Sequence, residues 1–112
     1  MSYDICLEMT VDTGNPEPYR ICPEDIGNYT GNVSGMWDEA LGYRLADLHG
    51  KTAGDHQTDL QMAVDDMTFR AGHYKTMNPA NGWGSYEGAL GYLTKLRDAC
   101  MAHPKATIRI SH

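Results

Sequence analysis

Hydrophobic and polar residues alternate over the opening of the chain. Tyr3, Ile5, Leu7, Met9 and Val11 take turns with Asp4, Cys6, Glu8 and Thr10. A period of two predicts a half-buried strand with one wet face. Asp12-Thr13-Gly14-Asn15-Pro16 is turn chemistry. Residues 19–22 can return antiparallel before Pro23 stops them. A third short extended segment is expected over 26–30, weakened by Gly27 and Gly31.

The period lengthens after Asn32. Met36, Trp37, Ala40 and Leu41 fall at helical spacing, with Ser34 as candidate cap and Gly42 as candidate end. Thr52 and Asp55 suggest a capping box for a second helix, whose stripe is Leu60, Ala63, Val64, Met67 and Ala71. Gly72 suits a left-handed C-cap there. Residues 73–83 read as a long irregular loop, marked by Asn78-Pro79 and Asn81-Gly82. Ser85 can cap a third helix with Tyr86, Ala89, Leu90, Leu93, Leu96 and Cys100 on its core face, and His103-Pro104 ends it. Alternation returns in the tail, where Ala106, Ile108 and Ile110 point one way. The predicted fold class is α+β: a small antiparallel or mixed sheet, built from an N-terminal hairpin and a C-terminal strand. About three helices pack on one face of it.

With 112 residues, one domain spanning 1–112 is the expectation. Hydrophobic residues at 41% and charged residues at 21% exclude wholesale disorder. The formal net charge of -6, with the basic residues scattered, disfavours direct nucleic-acid binding. No apolar run is long enough for a bilayer, and no basic-then-apolar leader opens the sequence. No membrane partner is therefore expected, and a cytoplasmic location is. Cys6, Cys22 and Cys100 lack CxxC spacing, and the histidines form no HExxH pattern, so neither metal nor cofactor is implied. Gly50-Lys51-Thr52 lacks the upstream glycine of a phosphate-binding loop, since position 45 is Leu45. No serine sits in a GxSxG elbow. His56 and Asp59 can meet on one helix face, where a surface pair without consequence is the plainer reading. No catalytic residue is assigned.

Two stretches carry more polar and aromatic chemistry than a core needs. The first is Asn78-Pro79-Ala80-Asn81-Gly82-Trp83-Gly84-Ser85-Tyr86, amides beside a glycine-flanked indole just before a helix start. A ring there can stack a flat ligand, amides can read an adenine edge, and helix amides can hold phosphate. The plain alternative is that Trp83 plugs the core while the asparagines satisfy loop backbone. The second is Asn28-Tyr29-Thr30-Gly31-Asn32, where Asn28, Thr30 and Asn32 share one face if the segment is extended. The alternative is that Asn32 caps a helix and Thr30 pairs across the sheet. Both stretches are free of carboxylates before Glu87. The candidate ligand-binding set is Asn28, Thr30, Asn32, Asn78, Asn81, Trp83 and Tyr86.

The opening Met1-Ser2-Tyr3-Asp4-Ile5, the Asn28-x-Thr30-x-Asn32 element with Met36, and the block Asn78 to Gly88 are similar to a family of small phage and prophage proteins. The ending resembles it too, through Ala99-Cys100, His103-Pro104 and Ala106-Thr107-Ile108-Arg109-Ile110-Ser111. The resemblance implies an origin and not an activity. Small acidic phage proteins of this kind often act as accessory factors that block a host defence protein or sequester a nucleotide messenger. The expected function is a non-catalytic accessory protein binding a small nucleotide-like ligand. The alternatives are an inhibitor or adaptor acting on a host protein, and a small hydrolase or transferase using His56 or His73. A homo-oligomer would complete a thin core.

Overall fold

The computed structural model describes residues 2–11, 14, 16 and 19–112. The alternating opening is a strand, β1 (Ser2–Val11), paired antiparallel with β2 (Tyr19–Thr30). Of the expected turn between them, positions 12, 13 and 15 lie outside the described residues. The tail forms β3 (Thr107–Ser111), antiparallel to β1 on its other side, so the sheet order is β2-β1-β3. The helices are α1 (Ser34–Leu41), α2 (Gln57–Phe69), α3 (Ala71–Lys75) and α4 (Tyr86–Ala102). The fold is α+β.

β2 corrects the expectation of two short segments. It continues through Pro23 because it has only one neighbour, and an edge strand tolerates a missing N–H. The pairing slips twice, between Ile5 and Cys6 and between Leu7 and Met9. At the first slip Ile5 faces Gly27 and Cys6 faces Asp25, so Ile26 is the extra residue and is buried. Gly27 supplies the positive φ of 89° at this bulge, and the Asp25 carboxylate accepts its N–H at 2.9 Å. The bulge reverses the strand's parity. Asp25, opposite Cys6, and Asn28, opposite Asp4, therefore lie on the same open face of the sheet.

Tyr3, Ile5, Leu7, Ile108 and Ile110 point to the other, covered face. There they meet Leu60, Ala63, Val64 and Met67 of α2 and Tyr86, Ala89, Leu93, Leu96 and Cys100 of α4. Trp37 of α1 is fully buried among them, its indole N–H donating to the Ala89 carbonyl at 2.9 Å. Its ring lies 5.3 Å from Tyr3 and 5.4 Å from Tyr92, centroid to centroid.

The helix ends divide between expectation and correction. Gly42 ends α1 with φ 82°, and the Ser85 hydroxyl caps α4 by accepting from the Gly88 N–H. Ser34 does not cap α1; the Thr30 side chain instead accepts from the Asn32 N–H at the 3₁₀ turn before it. No capping box forms at Thr52, which bridges to Thr107 while a 3₁₀ turn, Ala53–His56, precedes α2. Gly72 lies inside α3, so residues 73–75 of the expected loop are helical.

Candidate functional site

Two chain segments far apart in sequence form one wall each of an open cleft. The first wall is the end of β2 with Ser2 of β1, which faces Thr30 across the ladder. Asn28 Nδ2 donates to Ser2 Oγ at 3.1 Å, which fixes the amide along the rim. The second wall is the loop leading into α4. Asn81 Oδ1 accepts the Trp83 N–H at 2.9 Å, and Gly82 adopts φ 75°, so the loop folds back on itself. Asn78 Oδ1 accepts the Tyr86 N–H at 2.8 Å and closes the loop onto the helix start.

Tyr29 and Gly84 dock one wall against the other. The Tyr29 hydroxyl accepts the Ser85 N–H at 3.1 Å. Gly84, at φ 94°, lies so close to the first wall that a Cβ there would stand 2.5 Å from Thr30 Cγ2. A glycine is therefore required twice over, by backbone angle and by contact.

The cleft so formed has a volume of about 550 Å³ and is lined by Ser2, Asn28, Thr30, Asn32, Asn81 and Trp83. None of these side chains carries a charge. Trp83 is 70% exposed, which sets aside the plain alternative that it plugs the core; Trp37 takes that place. Asn32 caps no helix, because its own N–H is the one capped. Five of the seven candidate residues thus converge.

The other two do not join them. Tyr86 is buried, its hydroxyl donating to the Met67 carbonyl at 2.7 Å, and Asn78, which accepts the Tyr86 N–H, does not line the cleft. The α4 start offers less to an anion than its position suggests. The N–H groups of Ser85, Tyr86 and Gly88 are taken by Tyr29, Asn78 and Ser85, and Glu87 stands in the first turn.

A second cleft of about 360 Å³ lies further along the open face, lined by Asp4, Cys6, Cys22, Asp25, His49 and Arg109 among others. His49 Nδ1 accepts the Ile110 N–H at 2.9 Å, and Arg109 reaches Glu8 at 3.4 Å. Burial, then the Cys22 thiol beside it, pushes the Cys6 thiol up to about 12. Among the described residues, no group of three or more His, Cys, Asp or Glu side chains is placed to hold a metal ion. His56 and Asp59 do meet, at 3.1 Å, with the Tyr43 hydroxyl donating to the same carboxylate oxygen; this cluster lines neither cleft.

Sequence reasoning missed Ser2 and the whole second cleft. The wet-face alternation of Ser2, Asp4 and Cys6 was the available signal, but which strands flank them is a matter of register.

No family model, no curated protein and no solved structure matches the chain.

Proposed function

We propose that this chain is a non-catalytic binding protein that captures a small nucleotide-like ligand by its flat, uncharged end. The observation that carries the reading is the exposed Trp83 ring facing amides and hydroxyls across one open, charge-free cleft. A volume of about 550 Å³ falls in the range of small-molecule sites. A base stacked on an accessible aromatic ring gains roughly 1–3 kcal/mol. Asn28, Asn32 and Asn81 then read the polar edge of the base, donors to acceptors. With the Ser85, Tyr86 and Gly88 N–H groups already engaged and the Glu87 carboxylate beside them, the ligand's phosphates stay in solvent. In the setting implied by the resemblance, the protein is a phage accessory factor in the host cytoplasm, withdrawing a nucleotide signal from a defence system.

Calorimetric titration with nucleosides and with linear and cyclic nucleotides tests this. The expected result is binding in which a nucleoside and its phosphates have similar affinity. Trp83→Ala should weaken binding by roughly 5- to 150-fold, the equivalent of losing one stacked base, with an unchanged melting temperature. A flat titration with every nucleoside and nucleotide, or unfolding of the variant, would overturn it.

One observation favours a second reading, an inhibitor or adaptor acting on a host protein. Val11, Tyr19 and Ile21 are exposed on the hairpin, beyond the part of β1 that β3 supports. A stoichiometric host protein captured from lysate by the wild type, and lost with Tyr19→Ser, would favour that reading.

A further inference from the structure

Two of the three cysteines share the second cleft. Cys6 is half-buried on β1, where β3 supports the strand, and Cys22 is exposed on β2. Leu7 faces Glu24 and Met9 faces Ile21, so the slip between them places Cys22 and Pro23 opposite Glu8. Glu8 is the next open-face position after Cys6, which makes the two cysteines diagonal neighbours across the ladder. Diagonal neighbours stand roughly 7–8 Å apart at Cα, a little beyond the roughly 4.4–6.8 Å span of a relaxed disulfide. Both thiols nonetheless line one cleft, and two local features favour their approach. The extra residue at the slip tightens the local twist, and residues 19–23 of this edge strand are all exposed, with no packing to resist a shift.

The geometry points to a dithiol site: Cys6 and Cys22 form an intramolecular disulfide when the protein meets a low-molecular-weight disulfide oxidant. The accessible Cys22 reacts first. Its thiolate attacks one sulfur of the small disulfide, the S–S bond breaks, and one small thiol leaves with a proton. A mixed disulfide remains on Cys22. The Cys6 sulfur then attacks the Cys22 sulfur, and the second small thiol departs carrying the proton that Cys6 has lost. Two protein thiols are oxidised and one small disulfide is reduced to two thiols. The order follows from access and from charge. Burial first, and the Cys22 side chain second, hold the Cys6 proton tightly, so Cys6 is the poor first nucleophile and the positioned second one.

The product cross-links β1 and β2 within the three-stranded part of the sheet, next to where the two-stranded ribbon begins. It also reshapes the cleft wall made by Asp4 and Asp25, without touching the Trp83 cleft. The inference is therefore independent of the ligand reading.

The test is incubation of the folded protein with oxidised glutathione, then denaturation, alkylation of remaining thiols, and intact-mass and peptide analysis. Wild type should lose the mass of two hydrogens, leave only Cys100 alkylated, and yield a Cys6–Cys22 linked peptide that reducing agent releases. Cys6→Ser should stop at the glutathione adduct on Cys22, and Cys22→Ser should keep both remaining thiols free. A wild-type protein that stops at the adduct with Cys6 still alkylated, or that links between molecules, overturns the proposal.

Discussion

Gly88 and Gly91 lie about one turn apart on α4, and their neighbours give them opposite roles. A Cβ on Gly88 would fall inside the Tyr29 hydroxyl, whereas a Cβ on Gly91 would meet nothing within 4 Å. Tyr29 cannot step aside freely. Its hydroxyl holds the Ser85 N–H and its ring stacks on Tyr92 with centroids 5.8 Å apart. Gly91→Ala should therefore stabilise the protein by roughly 0.5–1 kcal/mol through helix propensity alone. Gly88→Ala should cost roughly 1–3 kcal/mol from overpacking, despite the same gain. Denaturant midpoints of the two variants check both signs, and equal shifts would mean that Tyr29 is not where the cleft needs it. The two tryptophans make the same point about context. Nothing in residue type separates Trp37 from Trp83, yet one is fully buried and the other 70% exposed. The difference was half legible: Trp37 falls on a helical apolar stripe, while Trp83 stands between glycines in a turn.

Among the elements, β1 and β2 show how far periodicity reaches. Alternation placed β1 to within a residue and set its wet face, because a period of two needs no knowledge of partners. It failed on β2, where Pro23 and Gly27 read as punctuation; both turn out to be features of one edge strand with irregular pairing. The Ser85 cap was legible since its partner is three residues away, and the capping box at Thr52 was not, since Ala106 and Ile108 bond the backbone on either side of it and tie it to the tail. The cleft was legible only as two separate polar stretches; their meeting depends on Tyr29 and Gly84, whose partners lie across the fold.

The hairpin also carries a prediction of its own. β3 supports β1 from Asp4 to Glu8, and beyond that the pair 9–11 with 19–21 stands as a two-stranded ribbon with an exposed apolar trio. Such ribbons are marginal alone. Hydrogen exchange should run faster in that ribbon than at the amides of 4–8, by on the order of a hundredfold or more. Equal protection would reveal a partner or second copy lying over the arm.

The whole molecule stores neutral acids in its interior. Burial first, and nearby carboxylates second, hold the Tyr43, Tyr74 and Tyr92 phenols above their ordinary value of 10.0. Burial pushes the Cys100 thiol from 9.0 up to about 11. Above these ordinary values the unfolded chain releases its protons while the folded one keeps them, so ionisation favours unfolding. The stabilisation is complete below pH 9.0, declines first as Cys100 passes from 9.0 towards about 11, and falls further above 10.0 as the phenols follow. Urea midpoints measured between about pH 8 and about pH 11 should fall steadily; a flat profile would mean that these groups are open to water. An overall charge of -6 adds self-repulsion in the same direction.

Tyr29 belongs to two neighbourhoods at once. Its ring is part of the aromatic stack with Trp37 and Tyr92, and its oxygen grips the loop that carries Trp83. The width of the mouth is thereby geared to the packing behind it. A lineage can retune which guest fits by exchanging residues in the interior, leaving every side chain on the rim as it is.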